Sequence, residues 1–265
     1  MSHSELQARL VAALDRHDAL AVAVSGGVDS MLLAYVAHRY SRTAMTAVHA
    51  RSAAVPAEAT ARVEAHAERH GWALWLVDAG ELADPDYRAN PVNRCFFCKS
   101  NLYRRIAAAT GKTIASGTNL DDLGDFRPGL EAARAHNVVH PFVEAGLTKA
   151  DIYRLAAALG LDDLAALPAQ PCLASRIETG IAVEPEVLGF VEAAERELAV
   201  ALPDAGALRC RVTAAGVYVE CERLPEAAAR AALEARVAAL CAAAGRRFAG
   251  VRPYRRGAAF LRAAE

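Results

Sequence analysis

Six residues near the start of the chain, Ser25-Gly26-Gly27-Val28-Asp29-Ser30, have the make-up of an anion cradle. Two adjacent glycines let the backbone turn tightly, so that successive N–H groups and the N-terminus of a following helix converge on one point. Ser25 and Ser30 add hydroxyl donors. The string lacks the Gly-Lys-Ser/Thr ending of a Walker loop and the three spaced glycines of a dinucleotide fingerprint. The second chemically loaded set is sulfur. Cys95 and Cys98 form C-x-x-C at the start of a helical stretch, and Cys172 arrives on a long loop containing Pro168 and Pro171. The other three cysteines, Cys210, Cys221 and Cys241, are scattered over the last third and read as small core residues.

Positioning these groups requires a particular run of elements. An N-terminal helix over about Glu5 to Arg16 precedes an apolar strand, Ala19 to Val24, and helical spacing resumes at Met31 after the glycines. The pattern repeats with a strand at Met45 to Ala50, a helix at Pro56 to His70 and a strand at Ala73 to Val77. Further on, Cys95 to Thr110 has helical periodicity, Thr113 to Ser116 reads as a short strand, and Val138 to Phe142 reads as the last strand of the sheet. Thr148 with Asp151 has the spacing of a helix-starting cap, and Gly160 follows that helix. Strands alternating with helices predict an α/β fold with a doubly wound parallel sheet over residues 1–182. Residues 183–265 then read as a smaller α+β domain. It comprises a helix to about Val200, a hairpin over Leu208 to Glu222, an alanine-rich helix from Pro225 to Ala244 and a strand near Phe248.

Composition narrows the classes. With 265 residues the chain can bury a full core. Lys and Arg number 30 against 31 Asp and Glu, a formal net charge of -1, so no global field draws the chain to nucleic acid or an anionic membrane. The amphipathic stretch Met1 to Asp18 does not resemble a signal peptide, and no apolar run reaches the length of a membrane helix. A cytoplasmic protein is expected, in which the cysteines stay reduced and serve metal binding or catalysis.

The loop resembles the PP-loop of ATP pyrophosphatases, which split ATP between the α and β phosphates. With it come, in order, Asn90-Pro91-Val92-Asn93-Arg94-Cys95-Phe96-Phe97-Cys98-Lys99, Gly117-Thr118-Asn119-Leu120-Asp121-Asp122, Asp125-Phe126-Arg127-Pro128-Gly129, Ala145-Gly146-Leu147-Thr148-Lys149 and Pro171-Cys172-Leu173-Ala174-Ser175-Arg176. Together these resemble the LarE family, ATP-dependent sulfur transferases that help build the nickel-pincer nucleotide of lactate racemase. The likeness runs from about residue 19 to 190.

The resemblance implies adenylation of a pyridinium dicarboxylate mononucleotide, a small-molecule carboxylate acceptor, and exchange of the activated oxygen for sulfur, with release of AMP and pyrophosphate. It assigns ATP to Ser25 through Ser30, including Val28 and Asp29, and to Gly117, Asn119, Asp122 and Arg127. Asp121 and Asp122 could hold Mg²⁺ on the pyrophosphate or serve as helix and turn caps. Arg127 could bind phosphate or carboxylate, or tie Asp125. Arg176 raises the same choice, and with Cys172 and Asp29 it is a candidate catalytic residue. Arg94, Arg209 and Arg211 are carried over as substrate contacts; the last two alternate on a strand, where the other reading is a solvated face.

In this family the position of Cys172, in members lacking the C-x-x-C pair, gives up its own sulfur and becomes dehydroalanine. With the pair present, Cys95, Cys98 and Cys172 could instead hold three irons of a [4Fe-4S] cluster whose fourth iron carries a labile sulfide. Zinc would need a fourth ligand, for which His136 and His140 are candidates in otherwise ordinary flanks. Sulfide or a cysteine desulfurase would supply the sulfur, and a homo-oligomer is expected. Two other functions share these motifs: cluster-dependent tRNA 2-thiolation, which usually brings a basic or zinc-bearing RNA module not visible here, and an AMP- or ATP-binding redox sensor. After Phe248 the likeness fades, since the family's acidic stretch before Gly-Tyr-Arg is missing and the chain reads Val251-Arg252-Pro253-Tyr254-Arg255-Arg256-Gly257.

Overall fold

A computed structural model describes residues 1–124, 128–255 and 259. Its contacts divide the chain into two compact units: Met1–Glu81 with Cys95–Gln170, and Leu82–Arg94 with Pro171–Glu265.

The first unit follows the expected alternation. Helix α1 (His3–Leu14), β1 (Ala19–Ala23), α2 (Val28–Tyr40), β2 (Ala44–Arg51), α3 (Ala57–His70) and β3 (Leu74–Asp78) succeed one another. After the short α4 (Pro85–Arg88), which belongs to the second unit, come α5 (Arg94–Thr110) and β4 (Thr113–Ala115). The four strands form a wholly parallel sheet in the order β3-β2-β1-β4. Because side chains alternate along a strand, β1 feeds both faces. Leu20 and Val22 join a core with Leu6 and Leu10 of α1 and Met31 and Leu32 of α2. Ala21 joins another with Tyr103 and Ile106 of α5. Apolar layers on both faces bury the inner strands as a doubly wound fold requires, while the edge strand β3 leaves Trp75 and Leu76 exposed.

One expected strand is not there. From Val138 to Phe142 only Val139 pairs, as an isolated bridge to Ala115, and Pro141 instead opens the one-turn helix α7 (Pro141–Glu144), which follows α6 (Pro128–Ala135). Proline has no N–H for a ladder, but its fixed φ suits the first turn of a helix. Helix α8 (Lys149–Ala158) starts on the expected cap: Thr148 and Asp151 form a complete capping box. The stretch that shows no periodicity in sequence contains α9 (Asp162–Ala165) and a single 3₁₀ turn, Leu173–Arg176.

The second unit is built from α10 (Pro185–Ala201), the antiparallel hairpin β5 (Leu208–Thr213) and β6 (Gly216–Cys221), α11 (Ala227–Ala243) and β7 (Phe248–Pro253), which runs parallel to β6. It also takes in the residues from Pro171 onward and the segment Leu82–Arg94. Hydrogen bonds within the unit tie these segments together. Glu178 N–H donates to Val212 O at 2.9 Å, and Val183 N–H donates to Arg88 O at 2.9 Å.

The Asp151 carboxylate is buried and accepts from the Thr148 backbone N–H and hydroxyl, which hold it at about 2, with Arg154 adding to the effect. Its folded value lies below its unfolded one, so this stabilisation is complete above about pH 4 and disappears as the pH falls toward 2. Thr148→Ala should cost about 1–2 kcal/mol at neutral pH and flatten the loss of stability between about pH 4 and 2. Urea titrations of both proteins across that range measure both effects.

Candidate functional site

At the C-terminal edge of the parallel sheet the chain leaves β1 and reverses into α2. Gly26 takes a φ of 82°. A Cβ there would lie 2.6 Å from Ala59 O, so glycine is required by conformation and by space. Gly27 occupies the N-cap of α2 and no side chain caps the helix. An α-helix leaves its first N–H groups without intrahelical acceptors, so the N-terminus of α2 presents donors and the positive end of its dipole to the loop. Ser30 is buried behind them. Its hydroxyl accepts from Ser25 N–H at 3.0 Å and lies 3.2 Å from Ser25 Oγ and 3.3 Å from Gly27 O.

Three neighbours fix this loop. The turn after β4 presses on α2 at Gly117, where a Cβ would fall 2.7 Å from Ser30 N and 3.0 Å from Asp29 Cβ. On α3, Arg62 donates to Gly26 O at 2.8 Å and to Gln170 Oε1 at 3.0 Å. Below it, buried His49 lies 2.9 Å from both Val24 O and Thr60 Oγ1. Burial pushes its pKa down. A carbonyl only accepts, so the neutral ring carries its proton on Nδ1 and accepts from Thr60.

Asp29 links the loop to a polar network. Lys149 Nζ lies 2.5 Å from its Oδ2, and Asn119 Nδ2 lies 3.4 Å from its Oδ1. Lys149 N–H donates to Asp121 Oδ2 at 2.8 Å, Asn119 N–H to Asp122 Oδ2 at 3.1 Å, and Asp121 N–H to Asn119 Oδ1 at 3.0 Å. Asp121 and Asp122 thus help organise the turn. Magnesium characteristically takes one or two carboxylates plus substrate phosphates, a donor set to which this pair corresponds in number and kind. Arg127 and Asp125 lie outside the described residues.

The sulfur residues are carried differently. Cys95 and Cys98 stand half-buried in the first two turns of α5. Half-buried Cys172 caps the 3₁₀ turn. Among the described residues no three His, Cys, Asp or Glu side chains form a group that could hold a metal ion. Cys210, Cys221 and Cys241 are buried, which pushes all three thiols up, as expected of core residues.

The arginines of the second unit are mostly committed to protein partners. Arg176 grips Glu195 with two parallel bonds of 2.9 and 2.8 Å and turns Nη1 to Pro171 O at 2.6 Å and Cys172 O at 3.1 Å. Arg211 pairs with buried Glu220 at 2.7 Å and donates to Ser175 O at 2.6 Å. Arg209 lies over the Tyr254 ring at 5.7 Å, and burial, with Arg176 nearby, lowers its pKa. Buried Arg94 bonds the Asn90 side chain. Sequence alone gives Lys149 and Arg62 no role: Lys149 directly follows the cap Thr148 within the Ala145-Gly146-Leu147-Thr148-Lys149 motif, whereas Arg62 gives no signal.

No protein-family profile matches the chain. It is 39% identical to an uncharacterized protein of Synechocystis over 182 residues, 67% of this chain and 68% of that one. It is 31% identical over 197 residues to the pyridinium-3,5-bisthiocarboxylic acid mononucleotide synthase of Lactiplantibacillus plantarum, covering 72% of this chain and 71% of the synthase. The chain belongs to the LarE family. An uncharacterized protein of Methanocaldococcus jannaschii is 25% identical over 181 residues, 67% of this LarE-family chain and 68% of the archaeal one. Among the described residues no helix is long and apolar enough to cross a membrane.

The tight approach at Gly117 makes a direct test of this LarE-family loop. Gly117→Ala should cost about 1–3 kcal/mol, because the new methyl meets backbone that cannot yield. Urea denaturation measures it, and Gly124→Ala, where a Cβ meets nothing within 4 Å, serves as the control.

Proposed function

We propose that this chain is an ATP-dependent sulfur transferase that adenylates a pyridinium dicarboxylate mononucleotide and replaces the activated oxygen with sulfur. The nucleotide half rests above all on the uncapped N-terminus of α2, entered through a glycine loop and flanked by the Asp29–Lys149 pair. Kinship with the synthase supports the sulfur half and the acceptor.

In this reading the N–H groups of residues 26–30 receive the phosphates, and Lys149 brings positive charge to their oxygens. Asp121 and Asp122, together with the phosphates, would hold Mg²⁺, which when bound neutralises pyrophosphate charge. An acceptor carboxylate oxygen attacks the α-phosphorus, the bond from that phosphorus to the bridging oxygen breaks, and pyrophosphate leaves. The acyl carbon now carries AMP, a good leaving group. A sulfur nucleophile adds there and AMP departs. Cys172 supplies that sulfur or helps hold it. If the sulfur is its own, the thioester resolves by loss of the Cα proton and cleavage of the Cβ–Sγ bond, leaving dehydroalanine and the thiocarboxylate. If Cys95, Cys98 and Cys172 bind a [4Fe-4S] cluster, the cluster would supply a replaceable sulfide and the chain would turn over. Arg176, with its guanidinium on Glu195 and on the carbonyls of Pro171 and Cys172, acts on the cysteine's backbone in this reading.

The test supplies ATP and pyridinium-3,5-dicarboxylate mononucleotide to anaerobically purified protein and follows pyrophosphate, thiocarboxylate, iron and protein mass. Asp29→Asn should slow pyrophosphate release about 10- to 100-fold, and Cys172→Ser should release pyrophosphate without forming thiocarboxylate. Bound iron and sulfide lost in Cys172→Ser would assign the sulfur to a cluster; loss of one H₂S from colourless protein would assign it to Cys172. Absence of pyrophosphate release with this acceptor overturns the proposal, whether the protein proves to act on tRNA or only to bind nucleotide.

A further inference from the structure

Asn90 combines features that packing alone does not require. It is fully buried and takes a φ of 54°, in the left-handed region that few residues other than glycine and asparagine adopt readily. Its side-chain amide donates to Glu178 O at 2.9 Å and Ile181 O at 2.8 Å, with Ile177 O at 3.5 Å. Its side-chain oxygen accepts from Arg94, and its backbone carbonyl accepts from Gly180 N–H at 2.9 Å.

The residue type follows from this arrangement. The position needs two donors and an acceptor on a short side chain, at positive φ. Aspartate has no donors, glycine has no side chain, and glutamine is a carbon longer.

What Asn90 joins is specific. Arg94 immediately precedes Cys95, so one side of the junction leads into the C-x-x-C pair. The other side, Ile177 to Ile181, leaves the turn begun by Cys172, whose carbonyl Arg176 already holds from the opposite end. We propose that Asn90 is a positioning residue for sulfur transfer, setting the polypeptide that enters Cys95 and the polypeptide that leaves Cys172 in one fixed relation. This rests on the sulfur-transferase reading above. Among the described residues the hydrogen bonds of Asn90 stay within its own unit, so adenylation should be indifferent to it.

Two variants separate positioning from stability. Asn90→Asp keeps size, φ tolerance and the Arg94 partner but deletes both donors; Asn90→Gly keeps φ and deletes the side chain. In each, thiocarboxylate formed per pyrophosphate released should fall about 10- to 100-fold, with pyrophosphate release within about twofold of wild type. Hydrogen exchange should accelerate over residues 176–183 and stay unchanged over 24–31. Wild-type coupling in Asn90→Gly, unchanged exchange at 176–183, or parallel loss of both activities would overturn the proposal. A wild-type chain that releases no pyrophosphate would overturn the sulfur-transferase reading itself, a failure visible before any variant is compared.

Discussion

The approach of the backbone at Gly117 to the first turn of α2 is the constraint on which the candidate site depends. A helix N-terminus binds an anion only if its N–H groups face open space and no side chain caps them. That leaves the first turn of α2 without local support, and neighbouring backbone must hold it. Gly117 comes within 2.7 Å of Ser30 N measured from where its Cβ would be, and Gly26 lies as tightly against Ala59. The two glycines therefore let α3 and the turn after β4 close on the loop from different sides. Buried His49 and Ser30 fill the space beneath with bonds to Val24 and Ser25.

The second unit solves a different problem, namely keeping an irregular segment still. Residues from Pro171 to Val183 lie in no regular strand or α-helix, so their carbonyls need partners from elsewhere. Buried side chains supply them: Arg176 serves Pro171 and Cys172, Arg211 serves Ser175, and Asn90 serves Glu178 and Ile181. Two of the three are charged and are neutralised by Glu195 and Glu220, which lets a guanidinium sit inside the unit at tolerable cost.

Local pattern accounts for what was readable beforehand. The strand–glycine–helix order at β1 and α2, the cap at Thr148 and Asp151, and the hairpin of β5 and β6 are each specified within a few residues. Val138 to Phe142 misled because an apolar β-branched run reads as a strand, and only Pro141 argues otherwise. The membership of Leu82–Arg94 in the second unit was invisible, since it depends on pairings such as Asn90 with Ile181, 91 residues apart. The arginines show the same limit: sequence shows a cation able to meet phosphate, but not that Glu195 has already met Arg176. Lys149 is hidden for the converse reason, because its partner Asp29 lies 120 residues earlier.

Those ion pairs differ in a way that matches what each region must do. The Lys149–Asp29 pair is partly exposed, at 33% and 27%, and such pairs contribute at most about 1 kcal/mol. In the proposed function a polyphosphate, which carries more charge than one carboxylate and meets the helix dipole as well, would compete for Lys149 at little cost to the fold. Arg211–Glu220 is buried at 5% and 1%, where removing one partner costs about 3–5 kcal/mol. A breakable pair thus flanks the loop proposed to admit a nucleotide, and strongly held ones support the backbone around Cys172, as the proposed transfer of sulfur at that residue requires.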